Sequence, residues 1–291
     1  MTVVLGKQFL QGVVMVADCR ASLQKDGVMV PWRDNTQKIF RLGENLYVGL
    51  AGDIEFAGDV IPFLIRQIEK RPKLGLLHVF AKKAPALIKY AYELLVKEKG
   101  RQSPLGFIIA GVDFSRPAPI LDANGNVEGY MHGDYDKRVF KVESPNFIPV
   151  ETSFMPSNST VLIGSGEPAF DRLKKYFDDL YNFNGINSPL VFHASIIGDG
   201  LISESKRLGI DSVGGMPLIV TIDNHGSGFF PYRSRSPDNK GSELDLEMYA
   251  RADGRIVQKN LVTKKEIPLL FPSEVIRIAD PTSDLFADLA E

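Results

Sequence analysis

Two hydrophobic rhythms alternate along the first hundred residues. Residues 3–5 and 12–17 are short, nearly unbroken runs of Val, Leu, Met and Ala, separated by residues 6–11. Strands buried on both faces read this way, so two β-strands joined by a turn are predicted. Residues 22–34 are polar and glycine-containing, and are predicted as a loop. Residues 36–41 and 45–50 give two more strands, with Gly43-Glu44-Asn45 as the turn between them. The period then lengthens. Phe56, Val60, Phe63, Leu64 and Ile68 recur at helical spacing over residues 54–70, and Leu77, Phe80, Ala84, Leu87, Ile88, Ala91 and Leu95 over residues 75–99. Pro62 and Pro85 mark kinks or an early turn in these helices.

Strand patterns return at residues 107–112, 119–121 and 127–131, with a turn at 122–125. Residues 132–159 mix charges, prolines and aromatics, and read as an insertion or a long hairpin. A strand at 160–163 leads into Gly164-Ser165-Gly166, followed by helices over 168–180 and 189–208 and strands at 218–223 and 229–232. Pro168 sits in a first helical turn, where proline is tolerated. The order is strands, two helices, strands, two helices, strands. It is not the strict alternation of a parallel sheet and suits antiparallel sheets stacked between helical layers. Residues 1–233 are therefore expected to form one domain, and the polar stretch after Ser234 begins an extension to residue 291 with short apolar runs such as 267–271.

Composition changes the picture mainly by exclusion. A formal net charge of -2 makes no electrostatic case for nucleic acid or an anionic membrane. The single cysteine, Cys19, excludes an internal disulfide framework and suits a reducing compartment. The apolar run 13–17 is closed by Asp18 and Arg20, too short and too charged for a signal peptide, so a soluble, cytoplasmic protein is expected. Phosphate-loop, dinucleotide-binding and Ser-elbow motifs are missing from the sequence, and His78, His132, His193 and His225 show no metal-ligand spacing. No cofactor and no metal are expected.

The chemistry begins at Asp18. A carboxylate ending a buried strand is costly unless paired, and Lys38, inside the next apolar strand, is a natural partner. A structural ion pair and a catalytic pair fit that arrangement equally well. Asp53, just before a helical pattern, suits a helix cap.

With Thr2, the run from Gly12 through Val13-Val14-Met15-Val16-Ala17-Asp18-Cys19-Arg20-Ala21 to Ser22, Lys38, Gly49-Leu50-Ala51-Gly52-Asp53 and Gly164-Ser165-Gly166, the chain resembles proteasome β-type and bacterial proteasome-like subunits. The match covers roughly residues 2–222. The resemblance implies an α+β, four-layer αββα sandwich of two antiparallel sheets between helical layers, as in N-terminal-nucleophile hydrolases. It implies a threonine peptidase whose nucleophile is Thr2 after removal of Met1, with Asp18 and Lys38 tuning the amine, Gly52 donating to the oxyanion and Ser165 bonding near the amine. The family's last landmark is met by Asp211-Ser212-Val213-Gly214-Gly215, where the acid and glycines match and Ser212 is displaced. By register Ala21, Thr36, Leu50, Ile54 and Gly58 would line the pocket for the residue before the scissile bond. That pocket would favour an uncharged, hydrophobic side chain. Peptide or unfolded-protein substrates and a homo-oligomeric ring follow from the resemblance, with any ATPase partner left open. A non-catalytic ring or scaffold subunit and a small-molecule amidase on the same fold are the alternatives.

Overall fold

The computed structural model describes residues 3–25, 28–114, 119–121, 127–130, 135–152, 159–164, 168–183, 189–210, 212–223, 225–237, 243–271, 278–281 and 285–286. Of the residues singled out above, Thr2, Ser165, Asp211 and the turn at 122–125 lie outside these.

Strands β1 (Val3–Gln8) and β2 (Gly12–Asp18) form the centre of one antiparallel sheet. In it β12 (Thr160–Gly164), β13 (Pro217–Asp223) and β14 (Gly226–Phe229) complete the order β12-β1-β2-β13-β14. A second antiparallel sheet has the order β11-β10-β7-β6-β5, built from β5 (Ile39–Gly43), β6 (Leu46–Gly52), β7 (Leu105–Phe114), β10 (Tyr135–Glu143) and β11 (Val150–Glu151). The four α-helices among the described residues come in pairs. They are α1 (Ile54–Lys70) with α2 (Leu77–Lys99), and α3 (Pro168–Phe183) with α4 (Leu190–Arg207).

The strand period of two decides what packs where. In the second sheet Tyr47, Ala51, Ile108, Ala110 and Val139 join the core that contains β1, β2, β12 and β13. Their neighbours Val48, Leu50, Phe107, Ile109 and Phe140 join a separate core with α1 and α2. The first sheet's core also takes in Leu173 and Phe177 of α3 and Ala194, Ile197 and Leu201 of α4. Both sheets are thus apolar on two faces, which is why their strands read as continuous hydrophobic runs. The helix pairs cover opposite cores. None of the described helices is long and apolar enough to cross a membrane.

Several elements differ from expectation. Residues 6–8 extend β1 rather than opening a turn, and they bury the charged Lys7. Strands β3 (Ala21–Lys25) and β4 (Val28–Arg33) pair antiparallel where a loop was expected over residues 22–34. The mixed stretch beginning at 132 contains β10, paired over its whole length with β7. A small hairpin of β8 (Pro119–Leu121) and β9 (Val127–Tyr130) lies between them in sequence. The expected strand at 229–232 is two, ending β14 and starting β15 (Tyr232–Pro237).

Beyond β15 the chain adds β16 (Glu243–Ala250), β17 (Ile256–Asn260) and β18 (Glu266–Pro268) to a four-stranded antiparallel sheet. Tyr232, Met248, Ile256 and Leu269 bury into the first sheet's core. Ile278 and Phe286 bury against α1 and α2 instead, where Arg66 donates to the Ile278 carbonyl and Lys83 to that of Leu285.

Candidate active site

The centre of the site is a carboxylate with no exposure to water. Asp18 ends β2, and its Oδ1 accepts from the Val3 amide at 2.9 Å and from Lys38 Nζ at 2.9 Å. Its Oδ2 accepts from the amides of Arg20 at 3.1 Å and Gly214 at 3.4 Å. Lys38 is equally buried and also donates to the Arg20 carbonyl. Four donors on one carboxylate offset the cost of removing its charge from water.

Backbone bonds fix the segment that carries the lysine, just ahead of β5. The Thr36 amide donates to the Cys19 carbonyl at 2.9 Å, and the Leu50 amide to the Lys38 carbonyl at 2.9 Å. On the other edge the Gln37 amide donates to the Leu270 carbonyl, and the Leu270 amide to that of Asn35. A second ion pair backs the first: Arg20 grips Asp34 through Nε–Oδ1 at 2.7 Å and Nη2–Oδ2 at 3.2 Å. Gly214 lets this guanidinium lie flat on the backbone, because a Cβ there would meet Arg20 Cζ at 2.3 Å. From the sequence Arg20 and Gly214 were named only within the matched runs, and Asp34 was not singled out. The two glycines after Ser212 were the visible signal.

Cys19 is wholly buried beside these groups. Burial pushes its thiol well above the usual cysteine range, and the neighbouring Lys38 only partly opposes this. It is therefore not a nucleophile.

Gly52 ends β6 with φ +104°, a conformation that favours glycine, and a Cβ there would strike the Pro104 carbonyl at 2.2 Å. It borders a cleft of ≈ 90 Å³ together with Pro104, Gly106, Glu143, Ser144 and Gly164. Gly164 is the register partner of Val3, so this cleft lies at the end of the β1–β12 ladder. Asp53 caps α1, accepting from Glu55 N at 2.9 Å and Phe56 N at 3.4 Å. Partial burial alone would raise its carboxyl, but hydrogen bonds from Ser103 and Arg101 outweigh that and hold it below the usual range.

The positions expected to line a substrate pocket are dispersed by depth. Ala21 and Thr36 are buried next to Arg20 and Lys38, whereas Leu50 points into the core under α1 and α2. Ile54 opens α1 and is half-buried, and Gly58 lies one turn further inside. Ser212 is buried, but the bond from its segment to Asp18 is made by Gly214. Among the described residues no three His, Cys, Asp or Glu side chains are grouped to hold a metal ion.

No family model matches the chain, and no curated protein matches it by sequence. Its fold is similar to that in the helical assembly of the Anbu complex from Pseudomonas aeruginosa, with TM-score 0.50, 16% identity, 76% of this chain covered and 81% of that one. It is similar as well to Anbu (ancestral beta-subunit) from Yersinia bercovieri, with TM-score 0.49, 14% identity and coverage of 78% and 86%. A third similar structure is an Anbu (Gly-1) mutant from Hyphomicrobium sp. strain MC1, with TM-score 0.48, 13% identity and coverage of 94% and 90%. At such identities the likeness is one of fold. It corrects the resemblance drawn from the sequence motifs, because these neighbours are Anbu proteins and not proteasome β-subunits as such.

Proposed function

We propose that this chain is an N-terminal-nucleophile amide hydrolase acting on peptides or unfolded polypeptides, with the Thr2 hydroxyl as nucleophile once Met1 is removed. The observation that carries this reading is the buried Asp18–Lys38 pair, whose carboxylate also holds the amide of Val3, the residue after Thr2. A four-layer order belongs to the same reading, with α3 and α4 outside the first sheet and α1 and α2 outside the second.

The chemistry follows from the residue types. A threonine hydroxyl needs a base, and the chain's own α-amine has a reference pKa of about 7.7–8.0, near working pH. The Lys38 ammonium disfavours a second positive charge nearby and so keeps that amine able to accept a proton. Asp18 and the Arg20 carbonyl orient the ammonium. Attack of Thr2 Oγ on the amide carbon gives a tetrahedral oxyanion, for which the Gly52 amide is the proposed donor. Collapse expels the amine, which takes the proton from the α-ammonium. Water then attacks the ester, releasing the acid and restoring Thr2. Self-association is part of the proposal, since the Pseudomonas neighbour is described as a helical assembly.

A scaffold subunit without catalysis is the second reading. It is favoured by the Asp18 carboxylate itself, whose four bonds join β1, β2, Lys38 and the Gly214 segment. Intact mass spectrometry before and after exposure to a peptide epoxyketone separates the two. A mass lacking Met1, with one adduct that is lost in Thr2→Ala, supports the hydrolase. Retained Met1 with no adduct refutes it and leaves the scaffold.

A further inference from the structure

Arg33 ends β4 opposite Ala21, at a bulge where Trp32 is the extra residue. Its Nε donates to Thr36 Oγ1 at 3.1 Å. Thr36 and Lys38 are two residues apart in an extended segment, so their side chains leave the same face. The guanidinium is therefore held by a residue two positions along the chain from the lysine of the proposed site.

Its charge balance differs from that of its neighbours. Lys38 has Asp18 and Arg20 has Asp34, but no carboxylate among the described residues pairs with Arg33. Its Nη2 is sealed from water and finds no acceptor among those residues. An orphaned guanidinium N–H calls for an acceptor, and a positive charge with no paired carboxylate among them favours an anionic one. The Trp32 ring lies 4.3 Å from the guanidinium carbon and is 48% exposed, so the cover over this group is a surface side chain that can yield.

We infer that Arg33 is a specificity-determining group that selects substrates with a carboxylate side chain, Glu or Asp, next to the scissile bond. This rests on the hydrolase reading above and replaces the uncharged preference expected from Ala21, Thr36, Leu50 and Ile54. Of those positions Ala21 and Thr36 stand beside Arg33, while Leu50 lies in the core under α1 and α2, and Arg33 adds the charge that the expected pocket lacked.

The test uses the full chain and three peptide epoxyketones that differ only in the residue beside the electrophile: glutamate, glutamine or leucine. The glutamate probe is expected to label at least about tenfold faster than the glutamine probe, as a charge-assisted hydrogen bond implies. Arg33→Met brings the two within twofold, Arg33→Lys keeps part of the difference, and each variant's melting temperature is recorded beside its rate. Equal rates for glutamate and glutamine in the unaltered protein overturn the inference while leaving the hydrolase intact. Calorimetric binding of N-acetyl tripeptide amides ending in Glu or Gln to Thr2→Ala needs no chemistry at all. Tighter binding of the Glu peptide, lost in the Arg33→Met double variant, supports the inference even where no probe labels. Equal binding overturns it.

Discussion

Removing either half of the Asp18–Lys38 pair has unequal consequences, and the inequality can be worked out in advance. In Asp18→Asn the new amide donates where a carboxylate oxygen accepted. Whichever oxygen the new NH2 replaces, it faces two donors: Val3 N and Lys38 Nζ at one position, Arg20 N and Gly214 N at the other. Lys38 keeps its charge in a fully buried position with the Arg20 carbonyl as its remaining acceptor. Breaking a buried pair in this way costs about 3–5 kcal/mol. In Lys38→Met the carboxylate retains three backbone N–H donors, and the thioether replaces the aliphatic stem. The loss is then close to one charge-assisted hydrogen bond, about 1.5–3 kcal/mol. Urea unfolding followed by fluorescence, read as the midpoint shift at constant slope, measures both. Asp18→Asn should be the more destabilising by about 2 kcal/mol, the gap between the centres of those ranges. A Lys38→Met variant that loses as much or more would refute the claim that backbone amides carry the Asp18 charge.

Two further outcomes are expected. Gly52→Ala should lower the melting temperature and abolish epoxyketone labelling together, because the added Cβ meets the Pro104 carbonyl and φ is +104°; a fully stable, fully reactive Gly52→Ala protein would remove Gly52 from the site. Lys7 should give a stability that rises with pH. Burial lowers its pKa from 10.5 to about 8, against the attraction of Asp178 and with repulsion from Lys174. Below pH 8 both folded and unfolded chains carry the proton, and between there and the unfolded value the unfolded chain binds more protons. Stability relative to Lys7→Met therefore climbs by about 3 kcal/mol across that window, and a flat difference would contradict it.

What could be read in advance follows from where the hydrophobic signal was dense. β2, β6 and β7 are buried on both faces, so nearly every residue announced the strand. α1 and α2 showed their period, and Asp53 its cap, because those are local patterns. β10 was hidden because only its second half, at Val139, Phe140 and Val142, is core, while Tyr135 to Arg138 carries three charged residues. Lys7 suggested a turn, since nothing nearby in sequence reveals Ser159 and Thr160, whose hydroxyls take its ammonium at 2.7 and 3.1 Å. The Asp18–Lys38 pair was foreseeable as charge economy between a strand end and the next apolar run, although the strand expected at 36–41 begins at Ile39, after the lysine. Arg20 with Asp34, and Gly214 beneath it, depend on a chain crossing that no local pattern encodes.

The C-terminal region bears on the site through the same kind of long-range contact. Segment 35–38 is held on one edge by the end of β2 and on the other by Leu270, so its backbone groups are satisfied only when both are present. Thr36 faces Leu270 in a parallel bridge, Phe271 packs its ring against Phe40 at 4.5 Å, and Asn35 donates to the Pro268 carbonyl. The segment that carries Lys38 is thus held by a residue far along the chain as well as by Asp18. The β15–β18 sheet that delivers Leu270 is itself anchored through Met248 and Ile256 in the first sheet's core. The residues after Ser234, polar and unpromising as a sequence, are in this sense part of the scaffold that aims the ammonium.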